Sequence, residues 1–259
     1  MTRQNYYKSR SLRQSQKVDS ELILAYVHKE RKVQPMLGVR KLLVRISQPL
    51  MAQGVSIGRD RLFNLLRHNN LLIKRKPKYC TTTDSNHRFR VYCNLLYNAE
   101  VTGPNQVFVS DITYLRVGEK FVYLSLVTDY FSRSIVGWYC NDSLESIGAQ
   151  KALGKALKQL PSGSKIIHHS DRGSQYCCHA YIKMLKGHQI SMTEKNHCYE
   201  NGKAERVNGI LKLEYGLGGV FKSKSDVLKA VKEAIYLYNN LRPHQALGYR
   251  YPAQVHAAA

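Results

Sequence analysis

The sequence predicts an α/β chain in which a basic, all-helical region precedes a mixed sheet flanked by helices. Three observations predict this fold class. Apolar residues recur at helical spacing in the first part of the chain, three strand-like segments follow residue 104, and helical and strand-like segments then alternate. These patterns divide the 259 residues into a helical region at 1–80, a linker at 81–103 and a sheet-containing region at 104–259.

The charge of the chain indicates a strongly anionic partner. It has 40 Lys and Arg against 18 Asp and Glu, a formal net charge of +22, which argues against an acidic or neutral metabolic enzyme. Its 43% hydrophobic content also excludes a disordered basic tail. Because apolar runs fall short of the ~20 residues of a membrane helix, we expect a cytoplasmic protein. Its six cysteines lack the spacing of a disulfide framework and are expected to be reduced thiols.

Three short helices are predicted in the first region, beginning near Asp19, after Gly38 and, with Ser56 as a possible cap, before Leu62. The outer face of the third helix is polar. Such a face is typical either of a helix-turn-helix module that reads DNA or of a solvated helical bundle. A basic run after this helix favours DNA binding. The candidate DNA-binding residues here are Arg61, Asn64, Arg67, His68, Lys74, Arg75, Lys76 and Lys78.

The second region begins with a predicted three-stranded meander at 107–115, 121–127 and 134–139. A helix at 144–160, a short strand at 165–169 and further helices are expected to follow. The later predicted helices are 176–186, 202–215 and 226–239. This order predicts a mixed sheet with helices packed against it.

Three carboxylates stand out as candidates for chemistry. Asp111 lies in mid-strand between apolar neighbours, where a carboxylate is costly unless it binds a metal or pairs with an arginine. Asp171 follows a strand at its carboxyl end, where open α/β sheets place their sites, although a turn or cap role also explains it. Glu205 lies on a later helix, and Glu200 and Glu214 are alternatives that the pattern leaves open.

Carboxylates from two strands and one helix are suited to hold two Mg²⁺ (or Mn²⁺) ions, which prefer oxygen ligands. Two such ions activate an attacking water or hydroxyl at a phosphodiester. Asp129, at the end of the second strand, is interpreted as an Asx-turn or Arg-pairing residue. The cysteines and histidines at 177–179 and 197–198 lack the spacing of a zinc site, so zinc is not expected.

Several motifs in the second region carry a family resemblance. They are VSDITY at 109–114, LVTDYFSR at 126–133, HSDRGSQY at 169–176, CYENGKAE at 198–205 and YNNLRPH at 238–244. Together they resemble the core of bacterial insertion-sequence transposases of the OrfB type, which are related to retroviral integrases. The first region, with Gly38-Val39-Arg40 and the third helix, more weakly resembles the N-terminal helix-turn-helix of that family.

The resemblance implies a ribonuclease-H-like core and an Asp-Asp-Glu metal site at Asp111, Asp171 and Glu205, and it favours Glu205 over Glu200. The 33 residues between Asp171 and Glu205 are two fewer than is usual in that family, which a shorter connecting loop explains. It also implies that Lys212, on the same helical face as Glu205, holds the terminal DNA.

The implied activity is that of a transposase, which nicks the ends of its element and joins the freed 3′-hydroxyl to target DNA. The implied partners are double-stranded DNA, other copies of the chain in a synaptic complex, and an OrfA protein or an OrfAB fusion. Such a protein would act on DNA in the bacterial nucleoid. Two alternatives stay open: an inactive DNA-binding regulator, and a structure-specific nuclease on the same fold.

Overall fold

A computed structural model of the chain describes residues 3–73, 89–194 and 201–258. The chain divides into two compact units, residues 1–77 and 78–259. The basic run that contains Lys74, Arg75, Lys76 and Lys78 lies outside the described residues, as do Glu200 and the first part of the expected linker.

The first unit consists of helices α1 (Arg3–Val33), α2 (Val39–Met51) and α3 (Arg59–His68). Apolar residues from all three helices form its core, as the helical spacing predicts. The fully buried members include Ile23, Val27, Leu42, Ile46, Leu62 and Leu66.

Two of the predicted helix starts in this unit are wrong. Helix α1 begins at Arg3 and not near Asp19, because the preceding segment contains no Gly or Pro to interrupt it. Helix α3 has its N-cap at Gly58 and not at Ser56. The carbonyl of Gly58, in extended conformation, accepts the first helical hydrogen bond, from the amide of Leu62 at 3.0 Å.

The second unit is built on one mixed sheet. Its strands are β1 (Val107–Val117), β2 (Lys120–Asp129), β3 (Ile135–Asn141), β4 (Ile167–Ser170), β5 (Gln189–Met192) and β6 (Val220–Phe221). The strand order is β3-β2-β1-β4-β5, with β6 beside the far end of β1. Strands β1, β2 and β3 are antiparallel, whereas β4 runs parallel to both β1 and β5.

Helices cover both faces of this sheet. They are α4 (Ser146–Leu157), α5 (Ser174–Cys177), α6 (His179–Met184), α7 (Gly202–Glu214), α8 (Lys224–Asn240) and α9 (Pro252–Ala257). Helices α7 and α8 pack on one face around Leu124 and Tyr238, and α4 packs on the other around Phe108 and Ala152. Helix α4 approaches β3 closely, because Gly137 has no side chain to hold the two apart. The predicted α/β fold, in which a mixed sheet flanked by helices follows an all-helical N-terminal region, is confirmed.

The sequence pattern misses two strands and joins two helices. Strand β5 has four residues and β6 has two, too short for alternation to distinguish them from loops. The helix predicted at 176–186 is divided into α5 and α6 by Cys178, whose backbone is extended. No described helix is long and apolar enough to cross a membrane.

Candidate active site

Asp111 and Asp171 lie side by side on neighbouring strands. The parallel register of β1 and β4 pairs Val109 with His169, an offset of sixty positions, and the same offset relates Asp111 to Asp171. Asp171 directly follows Ser170, the last residue of β4. Since adjacent strands are about 4.8 Å apart, the register brings the two carboxylates to one edge of the sheet.

Two asparagines, Asn201 and Asn208, bind helix α7 to β1 at this edge of the sheet through hydrogen bonds. Nδ2 of Asn201 donates to the carbonyl of Ser110 at 3.1 Å, and Nδ2 of Asn208 donates to Oδ2 of Asp111 at 2.7 Å. Because seven residues span nearly two turns, both asparagines lie on the helix face that meets β1. Glu205 lies between them on a neighbouring, solvent-exposed part of the helix.

The three carboxylates interact electrostatically. Desolvation raises the pKa of Asp111 to about 7; the negative charges of Asp171 and Glu205 raise it too, whereas the hydrogen bond from Asn208 lowers it. Within the described parts of the chain, however, no three His, Cys, Asp or Glu side chains converge closely enough to hold one metal ion. The structure therefore brings the predicted residues to one place without a closed coordination shell.

A tight turn orients Asp171. Its Oδ1 accepts a hydrogen bond of 3.0 Å from the backbone amide of Gly173. A Cβ atom at Gly173 would lie 3.0 Å from that same oxygen and 2.8 Å from Oε1 of Gln175. The glycine thus leaves room for the Asp171 carboxylate in the turn that follows β4.

A buried cluster of polar side chains lies next to Asp111, at Ser110, His168 and Tyr181. Nε2 of His168 is 2.8 Å from Oγ of Ser110 and 2.9 Å from Oη of Tyr181. Burial lowers the pKa of His168 to about 3, and the ring is therefore neutral at physiological pH. The cluster links β4 to the residue that precedes Asp111 on β1.

Two other acids have structural partners. Glu214 receives two hydrogen bonds from the guanidinium of Arg242, from Nε at 2.7 Å and from Nη2 at 2.8 Å. Its carboxylate is therefore engaged at the far end of α7 from Glu205. Asp129 accepts from the amide and hydroxyl of Ser132, each at 2.7 Å, which confirms its interpretation as a turn residue.

The two lysines of α7 occupy different surroundings. Nζ of Lys212 lies 4.4 Å from the ring centre of Tyr114, a β1 residue three positions after Asp111. Lys203, expected on roughly the opposite helix face from Glu205, is half-buried with its Nζ 2.8 Å from the ring centre of Tyr130. Desolvation, together with the charge of Arg133, lowers the pKa of Lys203 to about 7.

In the first unit, the predicted polar face of α3 is exposed. Arg61, Asn64, Arg67 and His68 all lie at the surface, whereas the apolar face of the helix is buried. Some of these side chains have intramolecular contacts. Nη2 of Arg61 lies 3.9 Å from Oδ2 of Asp19, and Nδ1 of His68 lies 2.7 Å from the carbonyl oxygen of Asn64.

Sequence reasoning missed Asn201 and Asn208. Their signal is positional, because they lie four residues before and three residues after Glu205 and hence near its helix face. Asn208 is also buried, with its Oδ1 lacking a hydrogen-bond partner among the described residues.

Comparison with known proteins agrees with this architecture. Residues 101–198 match the integrase core domain family, and residues 186–252 match a second family also described as an integrase core domain. A 31 kDa protein of insertion element IS600 from Shigella sonnei is 37% identical over 213 residues, which cover 81% of this chain and 78% of that protein. Transposase InsF of insertion sequence IS3A from Escherichia coli K12 is 34% identical over 81% of this chain and 74% of its own.

The chain belongs to the family of insertion-sequence transposases with an integrase core. The resemblance read from the motifs is thereby confirmed, and the protein is an enzyme of the DDE transposase and integrase type. Among solved structures, the HTLV-2 integrase catalytic core domain in complex with magnesium has a TM-score of 0.47 at 20% identity and covers 60% of this chain and 97% of its own. A chain of a simian T-cell lymphotropic virus intasome has a TM-score of 0.49 at 20% identity, and the match covers 81% of this chain and 70% of that chain.

Proposed function

We propose that this transposase cleaves the ends of its insertion sequence and joins the freed 3′-hydroxyl to target DNA, with Asp111, Asp171 and Glu205 as ligands of two Mg²⁺ or Mn²⁺ ions. The observation that carries the proposal is the shared register of Asp111 and Asp171 beneath the helix that bears Glu205. Each acid comes from a different element, yet all three interact at one edge of the sheet.

The donor set suits a divalent cation. All three side chains offer carboxylate oxygens, the ligands that Mg²⁺ prefers. Their negative charges oppose one another, which is part of the reason that the pKa of Asp111 is raised. A divalent cation would balance this repulsion. When bound, two such ions activate the attacking water or 3′-hydroxyl and stabilise the departing oxygen at phosphorus.

The surrounding side chains have orienting roles in this mechanism. Asn208 donates to one oxygen of Asp111, and the amide of Ile112 donates to the other at 2.9 Å. The amide of Gly173 orients Asp171. These hydrogen bonds fix two ligands before DNA arrives, so less ordering is needed when the phosphodiester binds.

DNA binding in the proposal involves both units. Lys212 lies on the same helix as Glu205 and packs beside Tyr114 of β1. In the proposal, it contacts the terminal DNA near the reacting phosphate. In the first unit, Arg61, Asn64, Arg67 and His68 offer exposed groups that are able to read base edges or contact phosphates. The basic residues Lys74, Arg75, Lys76 and Lys78 add phosphate contacts.

The same proposal includes the assembly in which the reaction occurs. Two element ends have to be held together while they are joined to one target, so we infer a homo-oligomer on DNA. An OrfA protein, or an OrfAB fusion, supplies further end recognition. The reaction takes place on the DNA of the bacterial nucleoid.

The experiment is a joining assay. The purified protein is incubated with Mg²⁺, a DNA that carries the element ends and a supercoiled target, and the products are resolved on a gel. Joined molecules are the expected result. Nicks without joined products would favour the structure-specific nuclease, and binding without nicks would favour the inactive regulator.

A further inference from the structure

A cavity of about 440 Å³ lies in the second unit, apart from the three carboxylates. Its walls come from the turn after β2, the start of α7 and the segment between α8 and the end of α9. The volume falls in the range of about 300–1,000 Å³ that is typical of small-ligand sites. None of Asp111, Asp171 and Glu205 lines it.

Three basic side chains line this cavity: Arg133, Lys203 and Arg250. Among the described residues, no carboxylate oxygen lies within 4.0 Å of their charged nitrogens. Asp129, which is nearby in sequence, is buried and accepts hydrogen bonds from Ser132 and from the amide of Asn105. Among the described residues, no carboxylate lines the cavity, although the charge of nearby Asp129 acts on Arg133 and Lys203.

The cations are held close together by the fold. Nζ of Lys203 lies 2.8 Å from the ring centre of Tyr130, and the guanidinium carbon of Arg133 lies 5.5 Å from the same centre. Arg133 also has φ of 64°, a left-handed conformation that residues other than glycine rarely adopt. Both basic groups thus lie at the same ring, and the positive φ belongs to the turn that follows β2.

The remaining wall of the cavity is aromatic and apolar. Tyr130 and Phe131 contribute rings, and Leu247 and Val255 contribute aliphatic surface. Nucleotides combine an anionic phosphate with a flat base that stacks on such rings. Basic groups beside aromatic rings in one cavity are therefore suited to a nucleotide better than to a small inorganic anion alone.

We propose that this cavity binds a nucleotide unit, with its phosphate against Arg133, Lys203 and Arg250 and its base or sugar against Tyr130 and Phe131. The phosphate belongs either to a DNA strand or to a free nucleotide. If the phosphate belongs to DNA, this inference rests on the proposed function, because the DNA is then the substrate of the transposase. The site then anchors a strand on the face of α7 that points away from Glu205.

Binding measurements on the full chain test this proposal. Three probes are titrated without divalent metal: a fluorescent DNA duplex, deoxyadenosine 5′-monophosphate and inorganic phosphate. The variants are Lys203→Met and Arg250→Gln. Lys232→Met, which removes an exposed lysine of α8 that does not line the cavity, is the matched control. Arg133 is left unchanged because its backbone conformation restricts substitution.

For each cavity variant, we expect the steepness of log affinity against log salt to fall by about 0.9. If variant and wild type bind equally at about 1 M salt, the variant then binds DNA about fivefold more weakly than the wild type at about 0.15 M salt. Arg250→Lys should bind DNA more tightly than Arg250→Gln does, because it keeps the positive charge. The melting temperature of each variant should stay near that of the wild type. Loss of monophosphate binding with unchanged DNA binding would also support the site and identify a free nucleotide as its ligand.

If all three probes bind Lys203→Met and Arg250→Gln as they bind Lys232→Met, the proposal is wrong. This outcome is distinguishable from failure of the proposed function. An inactive wild-type protein in the joining assay would contradict the function, yet it would leave these metal-free binding measurements unaffected.

Discussion

Asn208 donates a hydrogen bond of 2.7 Å to Oδ2 of Asp111, and it lies one helical turn after Glu205 on α7. This contact joins the helix to the strand at the position where the sheet presents its acids. It also ties the helix that carries Glu205 to Asp111 through a neutral amide. The carboxylates and their amide partner are therefore best tested separately.

The first prediction concerns the carboxylates. Asp111→Asn, Asp171→Asn and Glu205→Gln should each abolish cleavage and joining, because each change removes a metal-binding charge while it keeps the size of the side chain. DNA binding should stay near the wild-type level, since phosphate contacts elsewhere are unaffected. The measurements are nicking with Mg²⁺ or Mn²⁺ and a gel shift.

Glu233→Gln serves as the control for these variants, because Glu233 is an exposed acid on α8. It should cut and join at the wild-type rate. If Glu205→Gln also cuts at nearly that rate, the third ligand lies elsewhere, and Glu200 becomes the next candidate.

Asn208→Ala should reduce activity without unfolding the protein. Groups that orient metal ligands typically contribute about 10- to 100-fold to metal affinity or activity, and we expect a loss in that range. The Mg²⁺ concentration needed for half-maximal nicking should rise. Asn240→Ala, at a partly exposed asparagine of α8 whose Nδ2 donates to the carbonyl of Tyr236, should leave this concentration unchanged. An equal Mg²⁺ requirement in both variants would contradict an orienting role for Asn208.

The sequence identifies the carboxylates of the site more readily than it identifies Asn208. Asp111 is recognisable because a carboxylate within an apolar strand is unusual, and Asp171 because it follows a short strand. Asn208 has no such signal, since one asparagine in a helix is common and its importance depends on contact with a residue 97 positions earlier. Strand β5 was missed for a similar reason, because its four residues are defined by pairing with β4.

Gly137→Ala tests how closely α4 approaches the sheet. A Cβ atom there would clash with the carbonyl oxygen of Ala152 and lie 3.1 Å from the amide nitrogen of Ala156. Because both atoms belong to the helix backbone, the helix must shift, and we expect a loss of about 3 kcal/mol in the free energy of unfolding. Urea denaturation of the full chain measures it.

Gly154→Ala is the matched control on α4 itself. Its new Cβ would meet only the flexible end of Met184, at 3.5 Å. Since alanine favours helix over glycine by about 1 kcal/mol, this variant should be slightly more stable than the wild type. A stability of Gly137→Ala equal to that of Gly154→Ala would show that the close approach has no energetic cost.

Residues 1–80 are expected to bind DNA by themselves and to prefer the element ends. The exposed face of α3 offers Arg61 and Asn64 for base contacts, and the first unit has its own apolar core. Affinity should fall steeply with salt because each neutralised phosphate releases counterions. Anisotropy with terminal and random duplexes measures the preference, and circular dichroism checks that the fragment is helical.

Asn64→Ala in this fragment should reduce the preference for terminal DNA more than the affinity for random DNA. A folded fragment that binds both duplexes equally would contradict this prediction. Specificity would then come from the second unit or from an OrfA protein.

The last prediction concerns Lys212, seven residues after Glu205 and therefore on the same face of α7. Lys212→Ala should weaken engagement of the DNA end and slow both nicking and joining, whereas the Mg²⁺ requirement should not change. Lys212→Arg keeps the charge beside Tyr114 and should retain most of the activity. Lys203 is unsuitable as the control because it lines the cationic cavity, so Lys232→Ala takes that place. If Lys212→Ala and Lys232→Ala join DNA equally well, Lys212 does not contact the terminal DNA, and its role is to pack against the ring of Tyr114.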